Sequence, residues 1–242
     1  MGRARTTGAT RAVDPETLWL PPTGTRLGRR PTHSRAEITA AAVTIADTEG
    51  LTALTMRRLA TEVAVGAMSL YTYVPDKETL LELMIDQVAG EHDLPPPGGD
   101  WRDDLRRLAH VQRDIMRRHP WLPSALASRQ TLGPNTLASL EYALTALQPT
   151  NLDGQQKMEA FALLTGFVAS YVSNEVAQEL NSRRTGRDPQ ETLAAQGRYL
   201  HAVVRGGAYP RLAEVLGTLS GGTVSSFDRL LDQLLNGLVP VG

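Results

Sequence analysis

The chain contains no cysteine. Disulfide staples, thiolate catalysis and cysteine-bound metal are therefore excluded, and a reducing compartment such as the cytoplasm fits. Net charge is also nearly absent, with 25 Lys plus Arg against 26 Asp plus Glu. No global field draws the protein to nucleic acid, so any DNA contact must be arranged locally. No run approaches the roughly 18 consecutive apolar residues of a membrane-crossing helix. The N-terminus lacks the apolar core of a signal peptide. These absences predict a cytoplasmic protein with no membrane attachment. The usual enzymatic signatures are missing too: no phosphate-binding glycine loop, no HExxH zinc motif and no serine elbow. The five histidines, at 33, 92, 110, 119 and 201, are scattered. No enzyme, metal or cofactor is expected.

What is present begins with an unusual distribution of arginine. Seven arginines fall between Met1 and Arg35, against two acids, Asp14 and Glu16. Residues 1–33 are otherwise rich in Gly, Pro and Thr, and composition predicts a mostly flexible arm. Two compatible roles suit it: a solubilising tail, or an arm reaching DNA phosphates or the minor groove. Its apolar island, Leu18-Trp19-Leu20 before Pro21-Pro22, suits docking against a surface.

From Ser34 the pattern becomes helical. Ser34 and Glu37 form a capping box, and Ile38, Ala41, Ala42, Ile45 and Ala46 trace one stripe that ends at Gly50. Thr55 caps a second helix, which buries Leu59, Ala60 and Val63. Val65-Gly66 makes a turn. Ala67 to Val74 follows as a helix, with Met68, Leu70, Tyr71 and Val74 available for packing. Asp76 caps a fourth helix running to about Glu91. Leu94 to Asp100, with three prolines and two glycines, forms a seam.

Beyond it, a helix from Trp101 carries Leu105, Leu108, Ala109, Gln112 and Met116 on one side and stops at His119-Pro120. A short segment spans Trp121 to Ala127, and Gly133-Pro134 opens a helix reaching Leu147. The longest helix runs from about Asp153 or Gly154 to about Asn181 and is apolar around much of its girth. Residues 182–190 read as a loop. Helices near 191–205 and 210–217, a joint at Gly221-Gly222 and a last amphipathic helix from Phe227 to Val239 complete the chain. The fold class is all-α, about ten helices, with an arm (1–33), a helix-turn-helix domain (34–93) and a larger helical domain (100–242).

The segment from Thr55 to Lys77, two short helices joined by a tight turn, is a shape for placing one helix in the major groove of double-stranded DNA. Thr55 offers its hydroxyl to a free amide, beside further amides able to meet a phosphate. Arg57 points away from the buried side and can reach a phosphate or a guanine edge. Ala67 and Met68 lie in the first turn of the second helix, where base edges are read, although Met68 is equally suited to filling a core. Ser69 can bond a base or a phosphate.

Ser34 to Glu91 resembles the N-terminal DNA-binding domain of the TetR-like transcriptional repressors. The landmarks are the Ala-rich first helix ending in Glu49-Gly50, then Leu54-Thr55-Met56-Arg57-Arg58-Leu59-Ala60, Val65, Ser69-Leu70-Tyr71 and Val74 followed by Asp76-Lys77. Trp101 to Val239 is similar to the tetracycline-repressor type of C-terminal domain, through His119-Pro120-Trp121-Leu122, Leu132-Gly133-Pro134-Asn135 and the long Ala/Gly/Phe helix. The resemblance implies that Tyr71 and Lys77 bind backbone phosphate and that Thr72 and Tyr73 discriminate bases. Tyr73 stands where histidine is frequent, and Gly66 where a capping serine or an acid is often seen, so the base preference does not carry over.

The resemblance further implies a homodimer on an inverted-repeat operator, built on the long helix and the last one, with Val168, Val172, Val176, Leu231, Leu234 and Leu238 at the interface. It implies a small-molecule effector in a cavity of the C-terminal domain. Leu108, Gln112, Met116, Trp121 and Leu126 are candidates for the lining, together with Leu140, Phe161, Thr165 and Phe167. Such a lining suits a hydrophobic or amphipathic ligand. His92 falls near a position that helps bind magnesium-tetracycline, but no second histidine completes that arrangement, so neither tetracycline nor magnesium carries over. The expected function is a repressor released by its ligand. An activator, or a DNA-binding regulator without a ligand, is the alternative.

Overall fold

The computed structural model describes residues 14–20, 33–127, 129, 131–186, 188–218 and 226–238. Among these residues all regular structure is helical, and the chain divides into two compact units, 1–149 and 150–242. The first holds α1 (Pro15–Trp19), α2 (Arg35–Glu49), α3 (Met56–Glu62), α4 (Ala67–Tyr73), α5 (Lys77–Ala89), α6 (Trp101–Arg118), α7 (Leu122–Ala127) and α8 (Pro134–Ala146). The second holds α9 (Gly154–Thr185), α10 (Pro189–Val204), α11 (Pro210–Thr218) and α12 (Phe227–Leu238).

In the first unit the expected caps are in place. Ser34 and Glu37 close a capping box on α2, and Thr55, Asp76 and Asp100 accept from the first-turn amides of α3, α5 and α6. Ile38, Ala42, Ile45, Leu59, Leu70, Leu80, Met84 and Val88 are almost wholly buried and form the core under the reading head. The expected seam at 94–100 is indeed non-helical, yet the compact unit continues through it to Pro149. The cause lies in α5. Its Asp86 carboxylate accepts from the backbone N–H groups of Asn135 (2.9 Å) and Thr136 (3.0 Å), and so caps α8 from another helix. A Cβ at Gly133 would overlap that carboxylate, which explains the glycine in the Leu132-Gly133-Pro134-Asn135 motif. Arg129 pairs with Glu78 at 2.8 Å near the start of the same helix.

Part of the arm departs from the flexible reading. Residues 15–19 form a short helix capped by Asp14, with Leu18 buried, and Arg35 Nη1 donates to the Leu18 carbonyl at 3.4 Å. One buried leucine and one guanidinium are enough to seat the apolar island. The rest of the arm, with Arg3, Arg5, Arg11, Arg26, Arg29, Arg30 and Pro21-Pro22, lies outside the described residues, as do Gly221-Gly222 and Val239. In the turn before α4, Ala64 is the left-handed residue, at φ 53°.

In the second unit α9 continues to Thr185, through residues expected to be loop, and closes on left-handed Gly186 at φ 62°. Arg183 and Arg184 in its last turn complement the negative helix end, and Arg183 pairs with Glu179 at 2.6 Å. These polar residues extend a helix rather than break it. By length and average composition alone α9 matches a bilayer-crossing helix, although it contains no uninterrupted apolar run of about 18 residues. Its valines, leucines, phenylalanines and alanines raise the average, while serines, glycines and charged residues break up any long apolar run. Phe167, Tyr171 and Phe227 join α9 to α12 in an aromatic cluster, with Phe167 stacked on Phe227 at 5.5 Å and Tyr171 edge-on to it at 5.1 Å.

Candidate nucleic-acid interface

The interface is built on the contrast between the two sides of α4. Leu70 is fully buried, and Val74 just after the helix is buried beside it. Ala67, Met68, Ser69, Tyr71 and Thr72 face outward, Met68 with 82% of its surface open. An exposed methionine costs apolar hydration, and at this exposure Met68 is not core filler. Thr72 donates to the Ser69 carbonyl at 2.6 Å, so its hydroxyl is held along the helix. Tyr73 is half-buried, and its carbonyl accepts from Arg35 Nε at 3.3 Å.

The N-cap of α4, Gly66, makes no side-chain bond. Among the described residues no side chain caps its first turn, where the Ser69 N–H donates to the Gly66 carbonyl at 2.9 Å. On α3, Thr55 accepts from Arg58 N–H at 3.1 Å. The adjacent arginines differ. Arg58 is locked between Glu49 and Glu62, at 2.7 Å from each. Arg57 is exposed and makes no ion pair among the described residues, leaving its guanidinium for an outside acceptor. Lys77 is more constrained than expected: its Nζ donates to the Leu54 carbonyl at 2.7 Å. That bond, rather than an anion alone, accounts for a cation in the first turn of α5. Two of its three donors remain for a phosphate.

The expected pocket residues are distributed over both compact units. In the first, Leu108, Gln112, Met116 and Trp121 are buried, and Leu126 and Leu140 are half-buried. Trp121 donates from Nε1 to Asp47 Oδ1 at 2.7 Å, so its polar edge is engaged with α2. In the second unit Phe161, Thr165 and Phe167 are half-buried, Phe167 within the aromatic cluster. His92 supplies a feature of its own. Its Nδ1 faces the Ala89 carbonyl and lies 2.9 Å from the Ser139 hydroxyl, while its buried Nε2 has no partner. Burial pushes its pKa below the ordinary histidine value. With the proton on Nδ1, Nε2 is an unused acceptor.

The expected dimer residues separate into two groups. Val168, Val172 and Leu231 are completely buried within one chain, so they are core and cannot meet a partner. Sequence periodicity marked them as apolar but not which neighbour covers them. Val176, Leu234 and Leu238 remain half-buried. The side of α9 that is open carries Ala162, Gly166, Ser170, Ser173 and Ala177 at helical spacing. Nothing lies within 4 Å of the place where a Cβ on Gly166 would stand, so nothing in the chain demands glycine there.

Comparison with known proteins divides the chain near the proline-rich seam instead of at Pro149. Residues 38–84 match the family model for bacterial regulatory proteins of the tetR family, and residues 94–241 match the tetracyclin repressor-like C-terminal domain. The chain is 37% identical over 227 residues to the HTH-type transcriptional repressor DrrR1 of Streptomyces coeruleorubidus, covering 92% of this chain and 83% of that protein. An HTH-type transcriptional regulator of Saccharopolyspora erythraea is 32% identical, with 86% of each chain covered. Among solved structures, ActR of Streptomyces coelicolor in complex with (S)-DNPA superposes with a TM-score of 0.69 at 27% identity, over 86% of this chain and 98% of ActR. ActR bound to actinorhodin gives 0.68 at 28% identity, over 86% and 97%.

Proposed function

The chain belongs to the TetR family of transcriptional regulators, and from that premise we propose that it is a repressor whose dimer holds an inverted-repeat operator through α3 and α4 and lets go when an amphipathic small molecule binds. The observation that carries the DNA-reading role is α4 itself, anchored by Leu70 with Met68, Ser69, Tyr71 and Thr72 turned outward. Thr55, Arg57, Tyr71 and Lys77 serve the phosphates or flanking base edges, while Ala67, Met68, Thr72 and Tyr73 read the groove. One short helix reads few bases, so strength and specificity require two copies about 34 Å apart. The outer side of α9 and the half-buried Val176, Leu234 and Leu238 supply the dimer surface.

The effector is a largely apolar molecule bearing a hydrogen-bond donor, matched to the free acceptor of His92. To act, it must bind the released conformation more tightly than the DNA-bound one. Repression, rather than activation, is favoured by the relative named as a repressor. The test is selection of duplexes from a random pool by the full-length protein. Enrichment of a palindrome with half-sites about one helical turn apart is expected. Enrichment of a single asymmetric half-site would remove the dimer, and no enrichment would remove the DNA reading.

A further inference from the structure

Three helices end at one buried imidazole. Asp47 lies in the last turn of α2, Glu91 just past the end of α5, and His119 is the C-cap of α6. The His119 Nδ1 stands 2.9 and 3.0 Å from the two Asp47 carboxylate oxygens, and Nε2 stands 3.1 Å from Glu91 Oε1. His119 is 7% exposed. Trp121 Nε1 fills a further site on Asp47, at 2.7 Å, and Arg118 pairs with the other Glu91 oxygen at 2.7 Å. The charged groups facing the ring are thus Asp47 from α2 and Glu91 after α5, with Arg118 beyond Glu91.

Acids at helix C-termini are misplaced, because those ends already carry partial negative charge. Here three such ends and two carboxylates surround one ring, and a cation resolves the conflict. Carboxylates only accept hydrogen bonds, so both ring nitrogens can serve them only when both carry a proton. Glu91 agrees: burial raises its pKa, yet Arg118 and His119 hold it below the ordinary carboxylate value.

We propose that His119 is a positioning residue, a charged latch that fixes the end of α2 against the ends of α5 and α6 and thereby sets the pose in which α4 meets DNA. This rests on the DNA-binding reading above and deepens it. The ties along α5, through Asp86 and Glu78, do not touch α2, so the latch is a separate route from the effector-side helices to the reading head. A head held in place loses less freedom on binding, so closing the latch tightens operator binding without adding a phosphate contact.

The experiment uses the full-length protein and the duplex selected by the wild type. Operator affinity is measured for the wild type, His119→Gln, Asp47→Asn, the double variant and Trp121→Phe, with thermal unfolding recorded in parallel. Each latch variant is expected to bind roughly tenfold more weakly, the double variant no worse than the singles, because one interaction is lost in all three. The dependence of affinity on salt should keep its slope, since phosphate contacts are unchanged. If His119→Gln does not fold, Trp121→Phe, which keeps every charge, still tests the latch, with an expected loss of about threefold. Variants with lowered unfolding temperature but wild-type operator affinity would overturn the latch and leave the DNA reading standing. A wild type that selects no duplex would defeat the DNA reading itself.

Discussion

Met68 and Lys77 both belong to the proposed DNA-reading set and should respond differently to substitution. Met68 touches nothing that holds the fold, so Met68→Ala should change stability by less than about 0.5 kcal/mol while weakening operator binding. Lys77 also holds the Leu54 carbonyl, so Lys77→Met should lose about 1 kcal/mol of stability in chemical unfolding together with affinity. Equal stability losses would mean that one of the two has been misassigned. His92 gives a residue-scale pH effect. Its folded pKa lies below the ordinary value of 6.5 because of burial, so the unfolded chain takes up the proton first as pH falls. Stability tied to His92 is complete above 6.5 and is lost as pH drops from there toward the folded value. In His92→Phe, unfolding followed against pH should lack that component. Residue identity alone showed Met68 and His92 as ambiguous. What the sequence could not show was the solvent exposure of the one and the partnerless buried nitrogen of the other, because both depend on long-range packing.

Among the elements, α4 is deliberately incomplete. Gly66 gives it a start without a side-chain cap, and Ser69 Oγ stands 3.7 Å from where a Cβ would be, so a larger residue fits. Gly66→Asp should stabilise the head by a few tenths of a kcal/mol, because glycine is already a tolerable N-cap, and should weaken DNA binding by placing a carboxylate toward phosphates. A gain in both properties would argue against α4 as the reading helix. The capped starts of α2, α3, α5 and α6 were legible in the sequence because capping is local and carries a residue signature. The short α1 was not, since its seat depends on Arg35 about twenty residues away in sequence. The last turn of α9 was missed because arginine and glutamate there look like loop composition until their spacing of four is weighed. His119 was marked only as a helix end, and its role emerges only when the ends of α2 and α5 arrive beside it.

For the whole molecule, oligomeric state separates the surface residues of the second unit from its core. Leu234→Glu should fold and sediment as a monomer that has lost most of its operator affinity. Val172→Glu should instead unfold, because it would place an unpaired charge at a fully buried position. Gly166→Leu should fold normally and weaken self-association, as one chain leaves that site open. A Leu234→Glu protein that remains dimeric would move the interface elsewhere. The division of the chain at residues 149 and 150 bears on how such a regulator can be recombined with others. A hybrid spliced at the proline-rich seam near residue 95 would carry off Asp86 and Glu91 and abandon Asn135, Thr136 and His119 to a foreign host. Grafts that keep these ties should therefore transplant the head together with everything up to Pro149.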